Sequence, residues 1–368
     1  MRHIGFLCHP LVAKDMRHFD PAFAAFSTEA LSGFLLRSQQ MIDALSMGSF
    51  KVQSTKGVFT NMTALVVPFT VEQAVQGMHA RNLKPFEEMV QRGLDRAESL
   101  GAELVGLGAY TSIVTDNGRA LLPAKAGLTT GNSLTVAAAA QALLIQSRKL
   151  GIKKRRLGVV GATGNIGATL AELLAPDVDK MVLIGRELGF TRLSRLAGRL
   201  GSHVAASFDM RDLQDCNLIV SASNTAGAII HAEHIDADNP VVVCDVATPA
   251  DVHPEVTTLR PQCIVIKGGQ WRLPFAGDIP RGGICPAPGI AYGCMTETLV
   301  LGFEQRMGSY SLGTLAVDDV RWIYARAIEH GFKVAIKPSQ PHKAEPRVDA
   351  PFATAAIGPR RKNQNRTT

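Results

Sequence analysis

Residues 157–174 read LGVVGATGNIGATLAELL. An apolar, strand-like run ends in a turn containing Gly161, Gly164 and Gly167, and an amphipathic helical pattern begins at once. Each glycine has a task there: Gly161 permits the tight turn, Gly164 lets the backbone approach a pyrophosphate, and Gly167 lets the helix pack closely on the strand. The helix N-terminus adds unpaired amides and a positive dipole, which favour an anion. This placement predicts a dinucleotide-binding turn, with Thr163, Asn165 and Ile166 as further contacts.

Outward from the turn, the chain continues with MVLIGR (181–186), LIVSAS (218–223), VVVCDVAT (241–248) and CIVIKGG (263–269). Short runs rich in Val and Ile, alternating with helical segments, predict a parallel sheet covered on both faces. Residues 151–285 are therefore expected to form a doubly wound, Rossmann-type domain, with Ser223 on its cofactor side. An NAD-selective site usually carries a carboxylate at the tip of the second strand, but Gly185 and Arg186 stand at this one. A guanidinium suits a 2′-phosphate, so NADPH is the expected cofactor, with Glu187 and Arg192 close by in sequence.

Residues 1–150 read as a mixed α/β lobe that binds substrate. Strands are expected at 3–8, 57–67 and 103–114, and helices at 85–100 and 129–151, the second opened by Thr129, Thr130 or Asn132. Residues 286–336 predict two helices, 291–306 and 318–331, packing back on the first lobe. Residues 337–368 read as a mobile basic tail. The fold class is thus α/β and two-lobed.

Composition excludes several other classes. At 368 residues, 46% apolar and 19% charged, the chain is not disordered in bulk. Its net charge is +7, but the tail holds seven basic against two acidic residues, five of those net charges. With few aromatics as well, no nucleic-acid partner is expected. The six cysteines form no C-x-x-C pair, so neither a disulfide framework nor a metal site is indicated. No stretch reaches the ~18 apolar residues of a membrane span, and a reducing cytoplasm is the expected location.

Cys294 lies shortly past the Pro/Gly break at 286–289, in the opening turns of a helix, where the dipole favours thiolate. A thiolate is also an apt nucleophile for a thioester. Residues 1 to about 335 resemble the long-chain acyl-(acyl-carrier-protein) reductases, NADPH-dependent enzymes best known from cyanobacteria that make fatty aldehydes from acyl thioesters. The matching residues are HIGFLCH at the start, LGAYTSIV (107–114), TTGN (129–132), VVGATGNIG (159–167), Gly185 with Arg186, Gly268 with Gly269, Cys294 to Glu297, GFE (302–304) and EHGF (329–332). Residues 9–55 and the segment between Gly269 and Cys294 depart from that pattern.

The resemblance implies that Cys294 is the nucleophile, with Glu297 three residues on. It implies an acyl chain delivered by acyl carrier protein or coenzyme A, and reduction of an acyl-cysteine to an aldehyde. Oxyanion donors are expected from the start of the Cys294 helix or from Thr130 and Asn132, which also suit an ordinary helix cap. Glu297 fits either a residue that orients water or thiol, or an exposed helix position. No proton donor stands out, His253 and His330 fitting the surface equally well. Two other readings stay open: a shikimate- or quinate-type dehydrogenase, needing a Lys/Asp pair such as Lys125 and Asp116, and a non-catalytic NADP-binding sensor. Lys153 to Arg156 form an exposed basic run suited to an acidic carrier, with Arg272 and Arg281 as the alternative dock.

Overall fold

The computed structural model describes residues 2–122, 124–225, 227–274 and 285–336. The basic stretch 337–368 and Arg281 lie outside the described residues. Two sheets carry the architecture. The first is mixed: β1 (His3–Cys8), β2 (Leu45–Gln53), β3 (Phe59–Val66), β4 (Leu104–Leu107) and β5 (Gly127–Thr129), in the order β2-β3-β1-β4-β5. Its pairings are parallel except β2 with β3.

The second sheet is wholly parallel. It contains β6 (Arg156–Val160), β7 (Lys180–Ile184), β8 (Val204–Ser207), β9 (Leu218–Ser221), β10 (Val241–Asp245) and β11 (Cys263–Lys267), in the order β11-β10-β9-β6-β7-β8. This is the doubly wound order of a Rossmann domain, and the crossover reverses between β6 and β9. The glycine turn follows β6 at that point, where a parallel sheet opens a crevice. A small antiparallel sheet, β13 (Ile290–Tyr292), β12 (Gln270–Arg272) and β14 (Lys333–Val334), joins the C-terminal segment to the end of the Rossmann sheet.

The helix Asn132–Lys149 links the two sheets and is buried along nearly its whole length. Its run Val136–Ala140 has side chains small enough for close approach on every face. Cys244 Sγ of β10 donates to the Ala139 carbonyl at 3.7 Å, and Trp271 Nε1 of β12 donates to the Leu134 carbonyl at 3.0 Å. The helix Gly293–Phe303 packs beside it and across β4, where Gly106 leaves room for Thr298: a Cβ on Gly106 would lie 2.0 Å from Thr298 Oγ1.

Two local expectations change, and one strand was not read. The strand expected over 103–114 stops at Leu107 and turns into a short helix, Tyr110–Val114. The chain breaks at Gly108, where a Cβ would lie 2.8 Å from the Leu7 carbonyl oxygen, and at Ala109, which has φ +52°. The long helix begins at Asn132, with Gly131 at its N-cap in the left-handed region. Strand β8, whose sequence VAAS is short and poor in β-formers, carries little signal of its own.

Candidate active site

A cavity of about 810 Å³ lies between the lobes, and both the glycine turn and Cys294 border it. On the Rossmann side the turn is built as its sequence requires. Gly161 has φ +78°, and a Cβ there would lie 2.8 Å from the Ala222 carbonyl oxygen; one on Gly167 would lie 2.4 Å from the Gly161 oxygen. The first backbone bond of the helix Asn165–Leu174 runs from Ala168 N–H to Gly164 O at 2.9 Å. The amides of Asn165, Ile166 and Gly167 thus precede the ladder, a fit for a pyrophosphate.

Of the other cofactor candidates, Thr163, Ile166, Arg186 and Ser223 border the cavity. Thr163 also packs on Gly185 and Gly189, where a Cβ would come within 3.1 Å of its Cγ2. Arg186 is exposed at the rim, with Phe208 and Met210 also on the wall. The Asn165 side chain is engaged elsewhere: its Nδ2 donates to the Gly313 carbonyl and its Oδ1 accepts from Leu315 N–H at 3.3 Å. Only its amide is left for a ligand. Ser223 donates its hydroxyl to Asp251 Oδ1 at 2.5 Å and its amide to Oδ2 at 3.0 Å, so a fully buried carboxylate sets this loop.

Cys294 is the second residue of its helix and half-buried in the cavity wall. It sits where two helix N-termini meet. A Cβ on Gly131, at φ +71°, would fall 1.9 Å from Cys294 Cα, and one on Gly293 would fall 2.6 Å from Thr135 N. The Gly293 amide donates to Gly269 O at 2.8 Å, tying this corner to the end of β11.

The expected dipole-favoured thiolate needs correction. Burial pushes the Cys294 thiol up to about 11, against hydrogen bonds from the backbone at Ala109, Met295 and Cys294 itself. At pH 7 the thiolate fraction is then roughly one in 10⁴. Alkylation of Cys294 by iodoacetamide, followed by peptide mass mapping, should accelerate about tenfold per pH unit up to pH 9 and show no plateau near neutrality. A plateau near pH 7 would restore the dipole-lowered thiol.

Glu297 is not an exposed helix position. It is fully buried, and its carboxylate accepts from Thr129 Oγ1 at 2.5 Å and from Leu134 N–H at 2.8 Å. It binds the start of the neighbouring helix, and burial raises its pKa while those bonds oppose the rise. Thr130 spends its hydroxyl proton on Ser311 O at 2.6 Å. Asn132 Nδ2 reaches Asn117 Oδ1 at 3.3 Å, which uses one of its two amide hydrogens. Both residues border the cavity.

Neither His253 nor His330 borders the cavity. His330 is buried, its Nε2 2.7 Å from Glu304 Oε1. Three wall residues were given no role in the sequence reading. Ala109, at φ +52° and ψ −124°, holds a conformation that costs an alanine strain and directs its amide at Cys294. His9 accepts the Tyr110 amide on Nε2 at 3.0 Å, with Nδ1 2.9 Å from Pro10 O, and burial lowers its pKa to about 4. Lys267 ends β11, donates to Ala247 O and lies 4.0 Å from Asp245 Oδ1. A lysine closing an otherwise apolar strand was the available signal for it.

The basic run divides: Lys153 and Lys154 are exposed, whereas Arg155 and Arg156 are half-buried and engaged. Arg155 bonds Ser147 Oγ and Asp177 O, each at 3.1 Å, and Arg156 bonds Asp215 O. The run also precedes β6, whereas the cavity opens at its far end, roughly 16 Å along the strand.

The shikimate / quinate 5-dehydrogenase family profile matches residues 144–265. Over 349 residues the chain is 30% identical to "Aminotransferase PigE" of a Serratia species, covering 90% of this chain but only 39% of that one. It is 24% identical over 275 residues to the long-chain acyl-[acyl-carrier-protein] reductase of Synechococcus elongatus, covering 69% and 78%. Among solved structures, L-tryptophan dehydrogenase from Nostoc punctiforme aligns over 89% of both chains at 10% identity and a TM-score of 0.34. Among the described residues no helix is long and apolar enough to cross a membrane. The family profile and the reductase relative support a Rossmann-type NAD(P)-dependent oxidoreductase.

Proposed function

We propose that this chain reduces an acyl thioester, carried by acyl carrier protein or coenzyme A, to a long-chain aldehyde, with NADPH as reductant and Cys294 as nucleophile. The observation that carries this reading is a single cavity bordered by both the Cys294 corner and the glycine turn. The Cys294 sulfur forms a bond to the thioester carbonyl carbon as the carrier sulfur leaves, taking up the thiol proton. The amides of Asn165, Ile166 and Gly167, with Arg186 and Ser223, would hold the dinucleotide, which supplies a hydride when bound. Breaking of the carbon–sulfur bond then releases the aldehyde, and a proton from water returns the Cys294 sulfur to the thiol. The longer Serratia relative bears an aminotransferase name, and such an enzyme requires a carbonyl acceptor. That requirement is consistent with an aldehyde-forming part.

Asn132 is the better side-chain candidate for the oxyanion, because Thr130 has no donor left. Asn132→Ala should lower kcat by about 10²–10³-fold, the usual loss for one such donor, and Thr130→Ser should change it little. Arg186→Ala should weaken NADPH by roughly ten- to hundred-fold and NADH hardly at all, since a lost charge-assisted contact is worth ~1.5–3 kcal/mol. Equal losses for both cofactors would remove Arg186 from 2′-phosphate recognition.

The Lys125 and Asp116 pair considered for a shikimate-type mechanism is not assembled, although Asp116 borders the cavity. Lys125 is exposed and off the cavity wall, and Asp116 pairs with Arg119 at 3.0 Å. Incubation with a long-chain acyl thioester in the absence of cofactor, read by intact mass, tests the covalent reading. The wild type should gain one acyl group and Cys294→Ala none; no gain in the wild type would overturn it.

A further inference from the structure

Behind the cavity, three side chains meet that the proposed reaction does not use. Ile230 and Val252 pair as an isolated parallel bridge, and the His253 amide donates to Ile230 O at 2.9 Å. The bridge sets the next residues, His231 and His253, side by side with rings stacked at 4.9 Å and 27°. Glu255 opens the short helix Glu255–Leu259 beneath them. His231 Nδ1 lies 3.0 Å from Glu255 Oε1, and His253 Nδ1 lies 3.3 Å from Oε2. One ligand atom from each residue lies within 4.8 Å of the others.

Two features distinguish this cluster from chance neighbours on a surface. His253 Nδ1 accepts the Glu255 amide at 3.3 Å, so it presents an acceptor to the carboxylate beside it. Acceptors facing one another need a proton or a cation between them. Among the described residues, Glu255 has ion-pair contacts only with these two imidazoles. The side chains are also 36–42% exposed, which leaves an ion a path in.

We propose that His231, His253 and Glu255 bind a borderline divalent transition-metal ion of the Zn²⁺ type, with water completing its shell. Two imidazole nitrogens and one carboxylate oxygen suit Zn²⁺, Co²⁺ or Ni²⁺, whereas Ca²⁺ and Mg²⁺ take oxygen donors. Ligand bonds of about 2.0–2.2 Å require donor atoms some 3.0–3.6 Å apart. His231 Nδ1 and Glu255 Oε1, at 3.0 Å, already have that spacing; all three ligand atoms lie within 4.8 Å of one another, and the half-exposed side chains would have to rotate to close the remaining pairs.

The ion would act on the fold that holds the cofactor loop. Ile229 and Ile230 both donate their amides to Asp251 O, at 2.8 and 2.9 Å, and the Asp251 carboxylate fixes Ser223 on the cavity wall. Clamping His231 to His253 pins the bridge on which Asp251 sits. Metal and dinucleotide should therefore bind with positive coupling, each tightening the other by the same factor.

The test uses tag-free full-length protein, stripped with a chelator and titrated with Co²⁺ and then Zn²⁺. A single equivalent of Co²⁺ should bind with visible d–d absorption, be displaced by Zn²⁺, and raise the unfolding temperature with metal concentration. His253→Ala and Glu255→Gln, both at partly exposed positions, should each weaken Co²⁺ by roughly tenfold or more with unchanged circular dichroism. Cys294→Ser should bind Co²⁺ like the wild type, which separates this site from the cavity thiol. Equal Co²⁺ affinity in wild type and His253→Ala, loss of the absorption in Cys294→Ser, or no Co²⁺ binding below about 1 mM would each overturn the proposal.

Discussion

Replacement of Cys294 by alanine is expected to abolish aldehyde formation while leaving NADPH affinity within about twofold of the wild type. Removal of a covalent nucleophile usually costs on the order of 10⁴-fold or more in rate, because the remaining groups supply only binding and oxyanion stabilisation. The fold should tolerate the change. Alanine is smaller than cysteine, and the crowding at this corner comes from Cys294 Cα against Gly131, which both residues share. The glycine turn lies on the other side of the cavity and makes its contacts through Gly161, Ala222 and the Asn165–Leu174 helix. Cofactor titration by fluorescence and aldehyde capture under saturating NADPH therefore read two independent parts of the molecule. Turnover in the variant comparable to the wild type would exclude the acyl-cysteine route. Loss of NADPH binding together with activity would show that Cys294 holds the fold of the cleft rather than the substrate.

The glycine turn was legible because its requirements are local: each residue's task is set by neighbours within a dozen positions of the chain. The parallel sheet was legible for a related reason, since strands buried on both faces must be apolar throughout. Cys294 was placed correctly near a helix start, but its acidity was not, because dipole and sequence neighbours say nothing of what packs over a side chain. The close packing comes from Gly131, and the opposing amide from Ala109, respectively 163 and 185 positions earlier in the chain. Glu297 shows the same limit. At three residues past Cys294 it is a helix neighbour in sequence, yet its carboxylate is spent on Thr129 of β5 and Leu134 of the helix Asn132–Lys149. His231, His253 and Glu255 lie 22 and 24 positions apart with no metal-ligand spacing, and only the Ile230–Val252 bridge brings them together. Ala109 lay within the matching stretch LGAYTSIV, but an alanine gives no warning of a positive φ, so its backbone role was not legible.

Gly131→Ala should be among the most damaging single substitutions in the protein, and Gly151→Ala supplies its control. The two glycines flank the same buried helix, at φ +71° and φ +67°, so both variants place an L-residue in the left-handed region. That strain alone costs about 1–2 kcal/mol. At Gly151 nothing lies within 4 Å of the added Cβ, so strain is the whole effect. At Gly131 the Cβ would fall 1.9 Å from Cys294 Cα and 2.8 Å from its nitrogen, which are backbone atoms with no rotamer to change. The two helix N-termini must then separate, stretching the Glu297 bond to Leu134 N–H that joins them. A backbone collision of this kind belongs with the losses above ~4 kcal/mol. Gly151→Ala should thus lower the unfolding midpoint by a few degrees and keep full activity. Gly131→Ala should lower it several times further, or fail to accumulate as folded protein, and should lose aldehyde formation in any folded fraction. Equal midpoints for the two variants would mean that the helices do not meet at Gly131 and Cys294 as closely as this packing requires.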